Sequence, residues 1–113
     1  MYGCCLPLGT INQINEKNCR ERVFPGMYDR MCNYFNYAGS SFNVHKSKES
    51  TGRVVMWREF SLLNSYTCEA SFCGPSQGFY KGFHFNIRMY LEMGKEFCKT
   101  LAVYSEQDQT YYK

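Results

Sequence analysis

Chemistry in this 113-residue chain starts at one carboxylate. Residues 63–74, LNSYTCEASFCG, set Glu69 among small, aromatic and sulfur-bearing neighbours. Across 64–72 the residues alternate. Tyr66, Cys68, Ala70 and Phe72 fall on one face of a strand, with Ser65, Thr67, Glu69 and Ser71 on the other. The first face suits a core and the second a polar cleft, and Gly74-Pro75 ends the run. A carboxylate near a strand end, flanked by hydroxyls, can serve as a general acid or base. It can equally be a half-buried partner of a nearby Lys or Arg. The alternation alone leaves both open.

Metal chemistry finds less support. Of seven cysteines, Cys4 and Cys5 are adjacent, Cys19 and Cys32 stand alone, and Cys68 and Cys73 are five apart. None forms a CxxC knuckle, so no structural zinc site is expected. The histidines are His45 and His84. In HKSKE (45–49) an extended backbone would hold His45 and Glu49 about 13 Å apart, too far for one ion. His84 reads as a surface or capping residue ahead of a helix.

The elements that must position these groups follow from the periodicity. Residues 1–19 show little period and read as a loop. In RERVFPGMYDRMCNYF (20–35) a Pro-Gly break precedes a short amphipathic stretch, with Met27, Met31 and Tyr34 at helical spacing. SSFNVHKSKES (40–50) alternates through Phe42 and Val44 and reads as an edge-like strand. RVVMWREF (53–60) is apolar on both faces, as a strand covered on both sides would be. From Asn86, a plausible N-cap, Ile87, Tyr90, Leu91, Gly94, Phe97, Cys98, Leu101 and Tyr104 recur at three and four and predict a core-docking helix. Arg88 and Glu92 form an i,i+4 pair on its outer surface. The tail from Ser105 to Lys113 is polar and expected to fray. Strand, strand and helix in this order predict an α/β fold, a mixed sheet with at least one helix packed on it.

Composition narrows the function classes. The length suits at most one domain, and an aromatic content of 18%, with ten Tyr and nine Phe, is enough for a core. A net charge of +3, with Lys and Arg scattered, does not imply nucleic acid. No apolar run approaches the roughly 18 residues of a membrane span. MYGCCLPLGT lacks the basic n-region and apolar stretch of a signal peptide, so reduced thiols in a cytoplasmic setting are expected.

Several linked motifs carry a resemblance. KSKE, TGRVVMW and NSYTCEASFCG, followed by YKGFHF and the LEMGKEFC helix, together resemble the cytosolic carboxypeptidases over roughly residues 20–104. That branch of the zinc carboxypeptidases shortens polyglutamate chains on tubulin and related proteins. MYGC is similar to the family's segment just after its last zinc-ligand histidine. The fold this implies is the C-terminal portion of a mixed-sheet zinc carboxypeptidase domain, with residues 1–113 a partial catalytic domain. Its mechanism implies a zinc-bound water attacking the C-terminal peptide bond, while a glutamate takes the proton and passes one to the leaving amine. The matching glutamate is Glu69.

The resemblance also implies a cationic pocket for a glutamate side chain, since guanidinium binds carboxylate bidentately. The family's basic residue at the start of the RVVMW motif is matched by Arg53. Lys46 and Lys48 add attraction for an acidic tail, or simply solvate an edge. Partners would be glutamate-rich, tubulin-like protein C-termini or side chains. The family's His-x-x-Glu pair, its distant third histidine and its Asn-Arg anchor have no counterpart here. Zinc is therefore expected in a full-length enzyme but not in this chain alone, which would be inactive by itself. The alternative is a non-catalytic piece that binds acidic tails through Lys46, Lys48 and Arg53.

Overall fold

A computed structural model of the chain describes residues 20–75 and 81–106. Among them are three α-helices: α1 (Val23–Met31), α2 (Gly52–Phe60) and α3 (Ile87–Tyr104). No β-strand is present among the described residues; Ser41 and Thr67 are isolated bridge positions. The expected α/β mixed sheet is therefore corrected to a helical arrangement with extended connections. The readings of 1–19 and of the final residues 107–113 lie outside the described residues.

The helix that sequence periodicity marks best is α3. Asn86 caps it, its Oδ1 accepting from the Met89 N–H at 2.9 Å. Arg88 reaches Glu92 at 3.2 Å, the expected i,i+4 pair. Glu92 also accepts from the Tyr34 hydroxyl at 2.7 Å. That bond, followed by Arg88, holds its carboxyl below the usual range. The docking face is the expected one in part: Phe97 and Tyr104 pack against α1. Met89 and Thr100 are buried and Met93 and Phe97 partly so, whereas Ile87, Leu91 and Leu101 are 79%, 69% and 50% exposed. Apolar residues occur most of the way round this helix, and the rings offered by α1 decide which side packs.

Those rings come from Phe24 and Tyr28. Phe24 meets Phe97 and Tyr104 edge-on, at 5.3 and 5.6 Å between centroids. Tyr28 meets Phe97 at 5.6 Å and Phe35 at 4.6 Å, within the favourable range for aromatic pairs. The Tyr28 hydroxyl donates to the Met93 carbonyl at 3.0 Å, tying α1 to α3 across the core. Burial pushes its ionisation well above the ordinary tyrosine value, with Cys32 adding to the effect. Pro25 does not break α1. It is the third helical residue, inside the first turn where an N–H has no intrahelical partner anyway.

RVVMWREF, expected as a doubly covered strand, is α2. A strand needs a neighbour's ladder to satisfy its backbone, and a helix satisfies its own. With no sheet among the described residues to join, 52–60 closes on itself. Thr51 is extended at the N-cap, and its carbonyl accepts the first helical bond from the Val55 N–H at 3.0 Å. Ser61, in the left-handed region at φ 53°, ends the helix. Val54 alone is fully buried, so α2 is thinly anchored beside the α1–α3 pair.

The remaining expected strands are corrected likewise. Residues 46–48 form a single 3-10 turn, with the Lys48 N–H donating to the His45 carbonyl at 2.8 Å. The extended 13 Å separation of His45 and Glu49 does not apply to this turn. Segment 64–73 is held mostly by side-chain bonds. The Tyr66 hydroxyl lies 2.6 Å from the Glu21 carbonyl and 2.8 Å from Asn64 Oδ1. The Tyr90 hydroxyl donates to the Ser71 carbonyl at 2.7 Å.

Candidate functional site

Three segments meet around a cleft of about 320 Å³. The first, before α2, contributes Ser41, Asn43, His45 and Lys48; the start of α2 contributes Thr51 and Arg53; the irregular segment after it contributes Thr67 and Glu69. Arg53, Lys48 and Glu69, singled out from sequence on separate segments, thus line one space. Lys46 does not line it. It is exposed on the same 3-10 turn, one residue after His45.

Local hydrogen bonding explains how the walls are set. The Thr51 N–H and hydroxyl both donate to the Lys48 carbonyl, at 3.1 and 2.7 Å, folding the lysine turn against the entry of α2. One residue into that helix lies Arg53, half-buried. The Ser65 hydroxyl, itself buried, donates to the Arg53 carbonyl at 2.7 Å. Thr67 and Glu69 follow at alternate positions, so both line the cleft while Cys68 between them does not. Tyr66, beside them, is held neutral to unusually high pH by burial, reinforced by Tyr104 and Glu21.

Two cations against one carboxylate leave the lining with an excess of positive charge. Such a cleft favours an anionic group, and Glu69 is an exposed carboxylate within the same lining. Serine, threonine and asparagine side chains supply neutral donors and acceptors between them. Among the described residues, no three His, Cys, Asp or Glu side chains are grouped to hold a metal ion. Cys32 is a buried free thiol, and Cys68, Cys73 and Cys98 are exposed ones.

Thr67 lies on the face that sequence alternation assigned to a polar cleft, whereas Ser41, Asn43, His45 and Thr51 were missed as lining residues. A signal for three of them was present. In SFNVH (41–45) Phe42 is buried and Val44 half-buried, so the alternate residues Ser41, Asn43 and His45 face the other way. The backbone stays extended at both Ser40 and His45. Alternation thus survives without a strand ladder.

Relatives place the segment. The chain is 40% identical over 113 residues to cytosolic carboxypeptidase 3 of Bos taurus, covering 99% of this chain and 11% of that protein. It is 38% identical over 114 residues to cytosolic carboxypeptidase 2 of Xenopus tropicalis, covering 100% and 11%. Against cytosolic carboxypeptidase 1 of Danio rerio it is 38% identical over 109 residues, covering 89% and 9%. No family model and no solved structure matches the chain. The chain thus spans about a tenth of the length of these relatives. By identity sustained across almost all of its residues, it belongs to the cytosolic carboxypeptidase family.

Proposed function

We propose that this segment supplies the acidic-tail-binding cleft and the proton-transferring carboxylate of a cytoplasmic zinc carboxypeptidase that removes C-terminal glutamates from polyglutamylated proteins such as tubulin. The observation that carries the reading is the convergence of Arg53, Lys48 and Glu69 on one cleft. Relatives named cytosolic carboxypeptidases support it. Arg53 pairs with the side-chain carboxylate of the terminal glutamate through its planar fork, and Lys48 adds a second positive charge. Glu69 accepts a proton from the attacking water and returns one to the departing amine as the C–N bond breaks.

Zinc in the complete enzyme supplies Lewis-acid chemistry. The described residues do not provide its ligand set, and no step here runs through it.

The test replaces the matching segment of the bovine relative with this chain and follows glutamate release from a peptide ending in three glutamates. The chimera is expected to turn over. Glu69→Gln keeps the shape but cannot shuttle a proton, so turnover falls about 10²- to 10⁴-fold, with zinc content and melting temperature preserved. A folded, zinc-loaded Glu69→Gln chimera with unchanged turnover would refute the assignment.

A further inference from the structure

The segment carrying Glu69 has no strand ladder to fix how far its carboxylate stands from Arg53 and Lys48 in the same cleft lining. Its position depends on an isolated bridge at Thr67, the backbone bond from the Phe85 N–H to the Cys73 carbonyl, and side-chain bonds on either side. After Glu69, the Tyr90 hydroxyl holds the Ser71 carbonyl at 2.7 Å and ties the segment to α3. Before it, the Ser65 hydroxyl holds the Arg53 carbonyl at 2.7 Å and ties it to α2. Of these two bonds, the second leads directly to the cationic wall.

Ser65 is only 9% exposed, so water does not readily replace its bond. It lies two residues before Thr67 and four before Glu69, both lining the cleft. Two and four residues of chain can span at most about 7 and 14 Å, so Ser65 is a near anchor for both. The Arg53 carbonyl also has the α2 ladder as a partner, through the amide four residues on. Removing the serine hydroxyl therefore does not orphan that carbonyl, and the cost falls on placement more than on folding.

We infer that Ser65 is a positioning residue: its hydroxyl, bonded to the Arg53 carbonyl, sets the spacing between the Arg53–Lys48 wall and Glu69 for an acidic ligand. The ligand in this statement rests on the acidic-tail reading above; the geometry rests on the bond itself. Alanine at 65 loosens the spacing, and threonine, which keeps the hydroxyl, restores it.

The experiment uses the ¹⁵N-labelled 113-residue chain with Ser65→Ala, Ser65→Thr and Arg53→Gln, and acetyl-Glu-Glu-Glu with a free C-terminus as the probe. Ser65→Ala is expected to weaken binding about 3- to 10-fold, the range for one buried neutral hydrogen bond. The Thr67 and Glu69 amide resonances should move while those of α1 and α3 stay in place, and Ser65→Thr should reverse both effects. If Ser65→Ala binds as tightly as wild type while Arg53→Gln binds weakly, positioning by Ser65 is wrong and the cleft reading stands. If the wild-type chain fails to bind, the acidic-ligand reading fails. The Thr67 and Glu69 resonances then decide alone: moved in Ser65→Ala they support the spacing role, unmoved they overturn it. Loss of binding only in step with loss of α1 and α3 signals also overturns it, as a purely structural effect.

Discussion

Gly74→Ala should loosen the far end of the Glu69 segment, and the structure sets the size of the effect. A Cβ built on Gly74 would lie 2.9 Å from the Phe83 carbonyl carbon and closer still to the carbonyl oxygen. Both atoms belong to backbone, so no side chain can swing aside. The two strands of chain must separate by an ångström or more. Next to this contact, the Phe85 N–H donates to the Cys73 carbonyl at 2.9 Å, and separation breaks that bond. A lost hydrogen bond costs about 1 kcal/mol, and overpacking adds about 1–3 kcal/mol. The sum is about 2–4 kcal/mol, which in a domain this small lowers the melting temperature by about 10 °C or more. Urea denaturation of wild type and variant measures the first quantity, and amide exchange at Phe85 locates it. An alanine variant with wild-type stability and undiminished Phe85 protection would refute the close approach.

Three further outcomes follow from groups already described. In the bovine chimera, Arg53→Gln should reduce kcat/KM on glutamate-ended peptides by about 2–5 kcal/mol if it truncates a desolvated charge pair, with little change in melting temperature; unchanged kinetics would remove Arg53 from substrate contact. Tyr28 and Tyr66 keep their protons in the folded chain beyond the ordinary tyrosine range. Above about pH 10 the unfolded chain therefore binds fewer protons than the folded one, and stability should fall by about 1.4 kcal/mol per pH unit for each tyrosine. Denaturation at pH 9, 10 and 11 checks the sign, and a flat profile would contradict it. Asn86→Ala should cost about 1 kcal/mol by removing the cap on the Met89 N–H, read as lower α3 helicity and a lower urea midpoint.

Of the helices, which close their own hydrogen bonds, α3 was legible in the sequence and α2 was not. Asn86 and the three-four spacing after it marked α3, because both signals act within one turn of helix. The docking side of α3 was legible only in part, since Ile87 and Leu91 are as apolar as Met93 and Phe97, and only Phe24 and Tyr28 of α1 discriminate between them. Apolar residues on both faces of RVVMWREF suggested a strand, but a strand is a relation between two segments, and its partner cannot be read from either one. Glu69 was singled out first by the alternation of its segment and then by motif resemblance, Arg53 and Lys48 through the resemblance, and Lys46 with them although it lies off the cleft. Ser65 went unnoticed as an anchor, since a serine on an alternating segment gives no hint of which carbonyl it will meet.

The thin anchoring of α2 has a spectroscopic consequence. The chain's single tryptophan, Trp57, lies on α2, half-exposed, while the rings of the main core are tyrosines and phenylalanines. Indole emission therefore reports the cleft side of the molecule, and near-ultraviolet tyrosine signals report the α1–α3 side. Elements with little buried apolar contact open first. On gentle heating the emission should shift before the tyrosine signal collapses, and a probe that closes the cleft should draw the two curves together.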